Sequence, residues 1–108
     1  MKSWDIYTYE FVGAGAHPAV IVSHPDRVAR ADWVNVLLCT TRRASRPPNE
    51  NEVRLNGADS LDWETLCRCD ALWLVEKSNP KQKRGTLSPI RRRQIVNKIN
   101  ASMCWKLV

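Results

Sequence analysis

Apolar and polar positions alternate with period two over much of this chain, the signature of half-buried β-strands. Residues 4–11 alternate around two tyrosines and read as a first strand. Residues 12–16 (Val-Gly-Ala-Gly-Ala) form a turn of small residues, and residues 19–23 a short apolar strand. Residues 24–32 read as a polar loop. Residues 33–41 are apolar on both faces, as in a central strand. A basic, proline-bearing connection spans 42–51, a brief strand 52–55, and a helical turn 62–65. Residues 66–76 form a longer strand, with Cys67, Cys69, Ala71, Trp73 and Val75 on an apolar, core-facing side. Leu66, Arg68, Asp70, Leu72 and Leu74 take the other side. Ser88 is a good N-cap, Pro89 suits the first helical turn, and Ile95, Ile99 and Met103 share a stripe. The expected helix runs over about 89–104. Several short strands closed by one helix predict a mainly β protein, a small barrel of antiparallel strands with a C-terminal α-helix.

At 108 residues and 44% apolar composition, the chain is expected to form a single domain over 1–108 with a small core. Its net charge of +6 favours a polyanionic partner. No apolar stretch approaches a membrane span and the first residues do not open a signal peptide, so the expected location is cytoplasmic. Cys39, Cys67, Cys69 and Cys104 lack disulfide spacing and are expected as free thiols. Cys67 and Cys69 with His17 and His24 do not have the spacing of a tight zinc site, so no metal and no cofactor is expected.

Arg68 beside Asp70 is either a structural ion pair or a site. His17, before a proline and after the small-residue turn, is either an exposed bystander or a proton donor. Thr40 and Thr41 end a strand. Arg42, Arg43 and Arg46 are a solvated basic loop or phosphate contacts. Of the five tryptophans, most read as core or interface, Trp73 above all, although indoles also stack on bases.

Five segments, in order, resemble the MazF/PemK/Kid family of bacterial toxin-antitoxin toxins: Asp5-Ile6-Tyr7, the run from His17-Pro18 to Ser23, the run from Val36 to Thr41, Arg68-Cys69-Asp70, and the run from Gly85 to Pro89. The resemblance implies an SH3-like barrel acting as a homodimer. It implies metal-independent endoribonuclease activity on single-stranded RNA, in which a 2′-hydroxyl attacks the neighbouring phosphate to leave a 2′,3′-cyclic phosphate. Catalytic roles would then fall to Asp70 as base, Arg68 as charge stabiliser, Thr40 as a phosphate hydrogen-bond donor and His17 as acid. Thr41, Arg42, Arg43 and Arg46 would contact RNA. The implied protein partner is an acidic antitoxin. Two departures are visible: His17 stands where most members have Arg, and the first loop, over residues 11–16, is short and apolar. Two rival readings are a gyrase-binding toxin like CcdB, whose C-terminal Trp-Gly-Ile is poorly matched by Trp105-Lys106-Leu107-Val108, and an RNA-binding barrel that no longer cuts.

Overall fold

The computed structural model describes residues 1–41, 46–80 and 82–105. Six strands form one antiparallel sheet in the order β4-β5-β3-β2-β1-β6: β1 (Asp5–Phe11), β2 (Gly15–Ile21), β3 (Trp33–Thr40), β4 (Glu52–Leu55), β5 (Thr65–Glu76) and β6 (Gln82–Thr86). The sheet curls into a half-barrel with α2 (Pro89–Ser102) at the C-terminal end, which is the mainly β architecture that the alternation predicts. Among the described residues no helix is long and apolar enough to cross a membrane.

The central strands are buried on both faces. On β3, Leu37 and Cys39 join a core of Ile6, Val20, Leu55 and Ile95, while Val34, Val36 and Leu38 join a second core with Tyr9, Phe11 and Ile21. Strict alternation between the two cores explains why residues 33–41 carry no polar face. Ser88 caps α2 by accepting from the Arg91 N–H, and Ile95 is fully buried while Ile99 packs partly against the first core. Arg91 in turn donates from Nε to Asp59 Oδ2 at 3.2 Å, tying the helix start to the turn at Gly57–Asp59.

Three local expectations change, and one strand is added. Residues 24–32 contain a short helix, α1 (Pro25–Arg30), capped by the His24 ring, which accepts from the Asp26 N–H at 3.1 Å. A helical turn forms at Gly57–Asp59, where Asn56 and Asp59 make a capping box, rather than over 62–65. Strand β2 begins at Gly15 instead of residue 19, because Gly13 (φ 79°) and Gly15 (φ 83°) close a three-residue hairpin loop. Strand β6 carries almost no apolar alternation and is an edge, held to β1 by Thr86 Oγ1 donating to the buried Asp5 carboxylate at 2.8 Å.

The long strand β5 departs most instructively. Leu37 of β3 faces Leu72, but Cys39 faces Cys67, so two steps on β3 correspond to five on β5. An odd excess of residues in such a bulge exchanges the faces of the strand. Cys67 and Cys69 therefore point into the first core, whereas Ala71 and Val75 pack on the second. Trp73, read as core or interface, is 36% exposed in the single chain. Cys39, Cys67 and Cys69 are buried free thiols and Cys104 is an exposed one. The neighbouring Cys39 thiol pushes Cys67 well above its ordinary value, and the Cys67 side chain together with burial does the same to Cys69.

Candidate nucleic-acid site

The bulge in β5 places Arg68 and Trp73 on the wall of one cavity, although their positions differ in parity. This cavity, about 440 Å³, is lined also by His17 from β2, Thr40 from the end of β3, and Glu52 from β4. Three sequence candidates thus converge from three strands: His17, Thr40 and Arg68. Each is delivered by sheet register. Thr40 lies opposite Leu66, and Glu52 lies opposite Arg68.

The His17 ring sits between two carbonyl oxygens, with Nδ1 3.1 Å from Cys39 O and Nε2 2.9 Å from Ala14 O. A neutral imidazole can donate to only one of them, an imidazolium to both. His17 thereby clips the hairpin loop to β3 beside Thr40. It also touches the Phe11 ring edge-on, with centroids 6.3 Å apart.

Glu52 is the residue that sequence reasoning missed. Its side chain is only 3% exposed. Oε1 accepts from Arg46 Nη1 (2.6 Å) and from the Asn49 N–H (3.0 Å), while Oε2 accepts from Arg46 Nη2 (2.8 Å). The Arg46 hydrogen bonds, helped by the Asn49 amide and the charges of Arg46 and Arg68, hold its carboxyl below the ordinary value. The available signal is an acidic residue opening a strand whose alternate positions, Val53 and Leu55, are apolar, just after a basic loop.

The other candidates are placed differently. Arg46 lines the cavity, but its fork is committed to Glu52 rather than open to phosphate. Thr41 does not line it; its hydroxyl donates to Thr65 Oγ1 at 3.1 Å and accepts from Trp63 Nε1 at 3.2 Å, so it braces the barrel. Asp70 does not line the cavity; its Oδ1 is 4.0 Å from Arg68 Nε, and both side chains are open to solvent. The Arg68–Asp70 pair is therefore a loose surface contact and not a buried structural bridge. Arg42 and Arg43 lie outside the described residues, as do residues 106–108. Among the described residues no group of three or more His, Cys, Asp or Glu side chains is arranged to hold a metal ion.

With Arg46 and Glu52 neutralising each other, Arg68 is, among the described residues lining the cavity, the cation left to attract an anion, and it shares that lining with Thr40 and the His17 imidazole. Such a set can stabilise charge on a phosphoryl oxygen and move a proton.

Solved structures of the same fold include an endoribonuclease in complex with its cognate antitoxin from Mycobacterial species (TM-score 0.80, 20% identity, 98% of this chain and 99% of that chain). The toxin MazF-mt6 of Mycobacterium tuberculosis superposes with a TM-score of 0.77 at 16% identity, over 94% of this chain and 99% of that one. A MazE-MazF complex from Deinococcus radiodurans gives 0.73 at 13% identity, over 94% and 92%. A comparison with curated proteins finds no match. The model of the PemK-like, MazF-like toxins of type II toxin-antitoxin systems, a family known as endoribonucleases, matches residues 2–103, and this chain belongs to that family.

Proposed function

We propose that this toxin is a metal-independent endoribonuclease that cleaves single-stranded RNA by attack of a 2′-hydroxyl on the adjacent phosphate, leaving a 2′,3′-cyclic phosphate and a 5′-hydroxyl. The observation that carries this reading is the convergence of His17, Thr40 and Arg68 on one cavity. Arg68 neutralises charge on the phosphorane, a task suited to a guanidinium that stays protonated. Thr40 donates to a phosphate oxygen. His17 gives a proton to the leaving 5′-oxygen, breaking its contact with the Ala14 carbonyl as the RNA seats. Asp70 takes the proton of the 2′-hydroxyl. Glu52 is a poor base by comparison, since both of its oxygens already accept from Arg46 and its acidity is enhanced.

The protein acts in the cytoplasm as a homodimer and is restrained by an acidic antitoxin that competes with RNA for the basic surface. The exposed apolar side chains of Leu72, Leu74 and Val96 are consistent with a partner subunit, and the +6 charge with an acidic segment.

Cleavage of a mixed-sequence single-stranded RNA in excess EDTA tests the chemistry. Products should end in 2′,3′-cyclic phosphate, and a 2′-deoxy residue at the cut should protect the strand. Asp70→Asn and Arg68→Ala should each slow cleavage by roughly a hundredfold. Dependence on a divalent ion, or full activity in both variants, refutes the mechanism. Light scattering that finds a monomer at micromolar concentration refutes the dimer.

A further inference from the structure

A second cavity, about 690 Å³, opens beyond the end of β2 and is lined by residues of both α1 and α2. Its volume lies within the ~300–1,000 Å³ typical of small-ligand sites. Among the described residues it shares no lining side chain with the candidate cleavage cavity. Five residues of extended chain, roughly 16 Å, separate His17 in the first wall from Val22 in the second. Lys2, His24 and Arg92 bring cationic or N–H donor groups to this second wall, and among the described residues no carboxylate lines it. Arg92 is anchored through Nε, which donates to Leu87 O at 3.0 Å, and no acidic side chain among the described residues pairs with its guanidinium. His24 Nδ1 accepts from the Asp26 N–H, so the neutral ring carries its hydrogen on Nε2 and keeps a donor for a ligand. The Asp26 carboxylate, 3.9 Å from Nδ1, is not part of the wall. Trp4 supplies the aromatic surface, with Val22 and Val28 as apolar neighbours. Its φ of 73° falls in the left-handed region, where a bulky side chain is uncommon. The Trp4 N–H donates to Ile21 O at 2.7 Å and its carbonyl accepts from the Leu87 N–H at 3.0 Å, so distant parts of the chain hold that conformation.

We propose that this cavity binds a nucleotide, a phosphate carried next to a planar base, at a site separate from cleavage. Lys2 and Arg92 take the phosphate, Arg92 through the guanidinium nitrogens that remain once Nε is committed. His24 adds a donor to the same oxygens. The base lies on the Trp4 indole, a contact open to all four bases. Charge and stacking act together here. The indole gives nothing to a bare anion, and the basic groups give nothing to an uncharged nucleoside. A free nucleotide and a nucleotide within an RNA strand present the same chemistry. The inference does not depend on the ribonuclease reading, because it uses no residue of the cleavage cavity.

The probe is adenosine 5′-monophosphate, compared with adenosine and with inorganic phosphate, on the intact protein. Binding is read from the Trp4 indole N–H signal in proton–nitrogen correlation spectra, assigned by its loss in Trp4→Phe. The nucleotide should move that signal and bind roughly tenfold or more tighter than adenosine or phosphate. Lys2→Gln, at an exposed position, should weaken the nucleotide roughly 3- to 10-fold and leave adenosine unchanged, and added salt should do the same. Circular dichroism establishes that each variant is folded. A 2′-O-methyl RNA strand, which resists 2′-hydroxyl attack, distinguishes the two sources. If it moves the Trp4 signal at lower concentration than the mononucleotide, the site serves RNA; if it leaves the signal in place, the site serves free nucleotides. Phosphate binding as tight as that of the nucleotide, or a Trp4 signal unmoved by both nucleotide and strand, overturns the proposal. So does a hexaglutamate peptide that moves the signal at lower concentration than the nucleotide, because the wall then serves an acidic protein segment. A Trp4 signal that follows only dilution, in step with mass by light scattering, overturns it in favour of a second copy of the chain. Absence of cleavage by the parent protein refutes the ribonuclease reading alone, since cleavage enters none of these measurements.

Discussion

Replacing Glu52 by glutamine isolates the charge beneath the candidate site while nearly conserving its shape. With its amide oxygen at the Oε1 position, the introduced side chain keeps the bonds from Asn49 and from Arg46 Nη1. Its NH₂ then faces Arg46 Nη2, where the carboxylate accepted at 2.8 Å. One charge-assisted bond, about 1.5–3 kcal/mol in gross terms, becomes a donor–donor contact. The loss is discounted because Arg46, 38% exposed, recovers water. A net destabilisation of about 1–2 kcal/mol at neutral pH follows, a fall in Tm of about 4–10 °C for a domain of this size. The pH dependence identifies the cause. Glu52 titrates below its ordinary value in the folded protein, so its contribution is complete above the unfolded carboxyl pKa of about 4.3 and disappears as pH falls through the lowered folded value. Melting curves of the parent and Glu52→Gln, followed by circular dichroism from about pH 3 to 8, should differ most near neutrality and converge at the acid end. An equal gap at both ends of that range, or no gap near neutrality, refutes the assignment of this carboxylate as the charged anchor of the Arg46 loop.

Two further substitutions probe the scaffold. The Tyr9 hydroxyl is buried without a hydrogen-bond partner among the described residues, and burial, with a smaller contribution from Tyr7, pushes its pKa up to about 12; Tyr9→Phe should therefore leave urea stability unchanged or raise it by up to about 1 kcal/mol, and a loss beyond that contradicts the orphaned hydroxyl. A Cβ on Gly85 would lie 2.5 Å from the Asp59 carbonyl oxygen and 3.1 Å from Leu61 Cδ2, so Gly85→Ala should cost about 1–3 kcal/mol, and a neutral result would show that edge strand β6 yields freely.

Period-two alternation is enough to find β1, β3 and the start of β5, because those strands bury one or both faces and their composition must follow the pleat. It cannot find β6, whose stability comes from pairing with β1 and from the Asp5–Thr86 hydrogen bond between residues far apart in sequence. Nor can it find the exchange of faces in β5. A run of eleven residues that fits an unbroken strand gives no local sign that the partner strand will skip, and alternation puts Cys67 and Ala71 on one face for that reason. At the site, Arg68 is legible as a charge on an apolar strand, whereas His17, after a small-residue turn, and Thr40, at a strand end, are legible only through the family resemblance. Glu52 is not, since its role depends on an arginine brought back by a loop. The fork between Arg46 and Glu52 likewise removes Arg46 from the set of open cations, a change that only three-dimensional pairing reveals.

The four thiols divide this molecule chemically in a useful way. Cys104 stands in solvent just beyond α2, whereas Cys39, Cys67 and Cys69 are sealed in the core on β3 and β5, the last two further suppressed as thiolates by their neighbours. An alkylating reagent should therefore modify one position at once and the other three only when β3 and β5 separate. Mass spectrometry of the modified chain then counts opening events in the two strands that carry Thr40 and Arg68. The toxin contains its own clock for how often the candidate site comes apart, and any partner that binds the folded barrel should slow it.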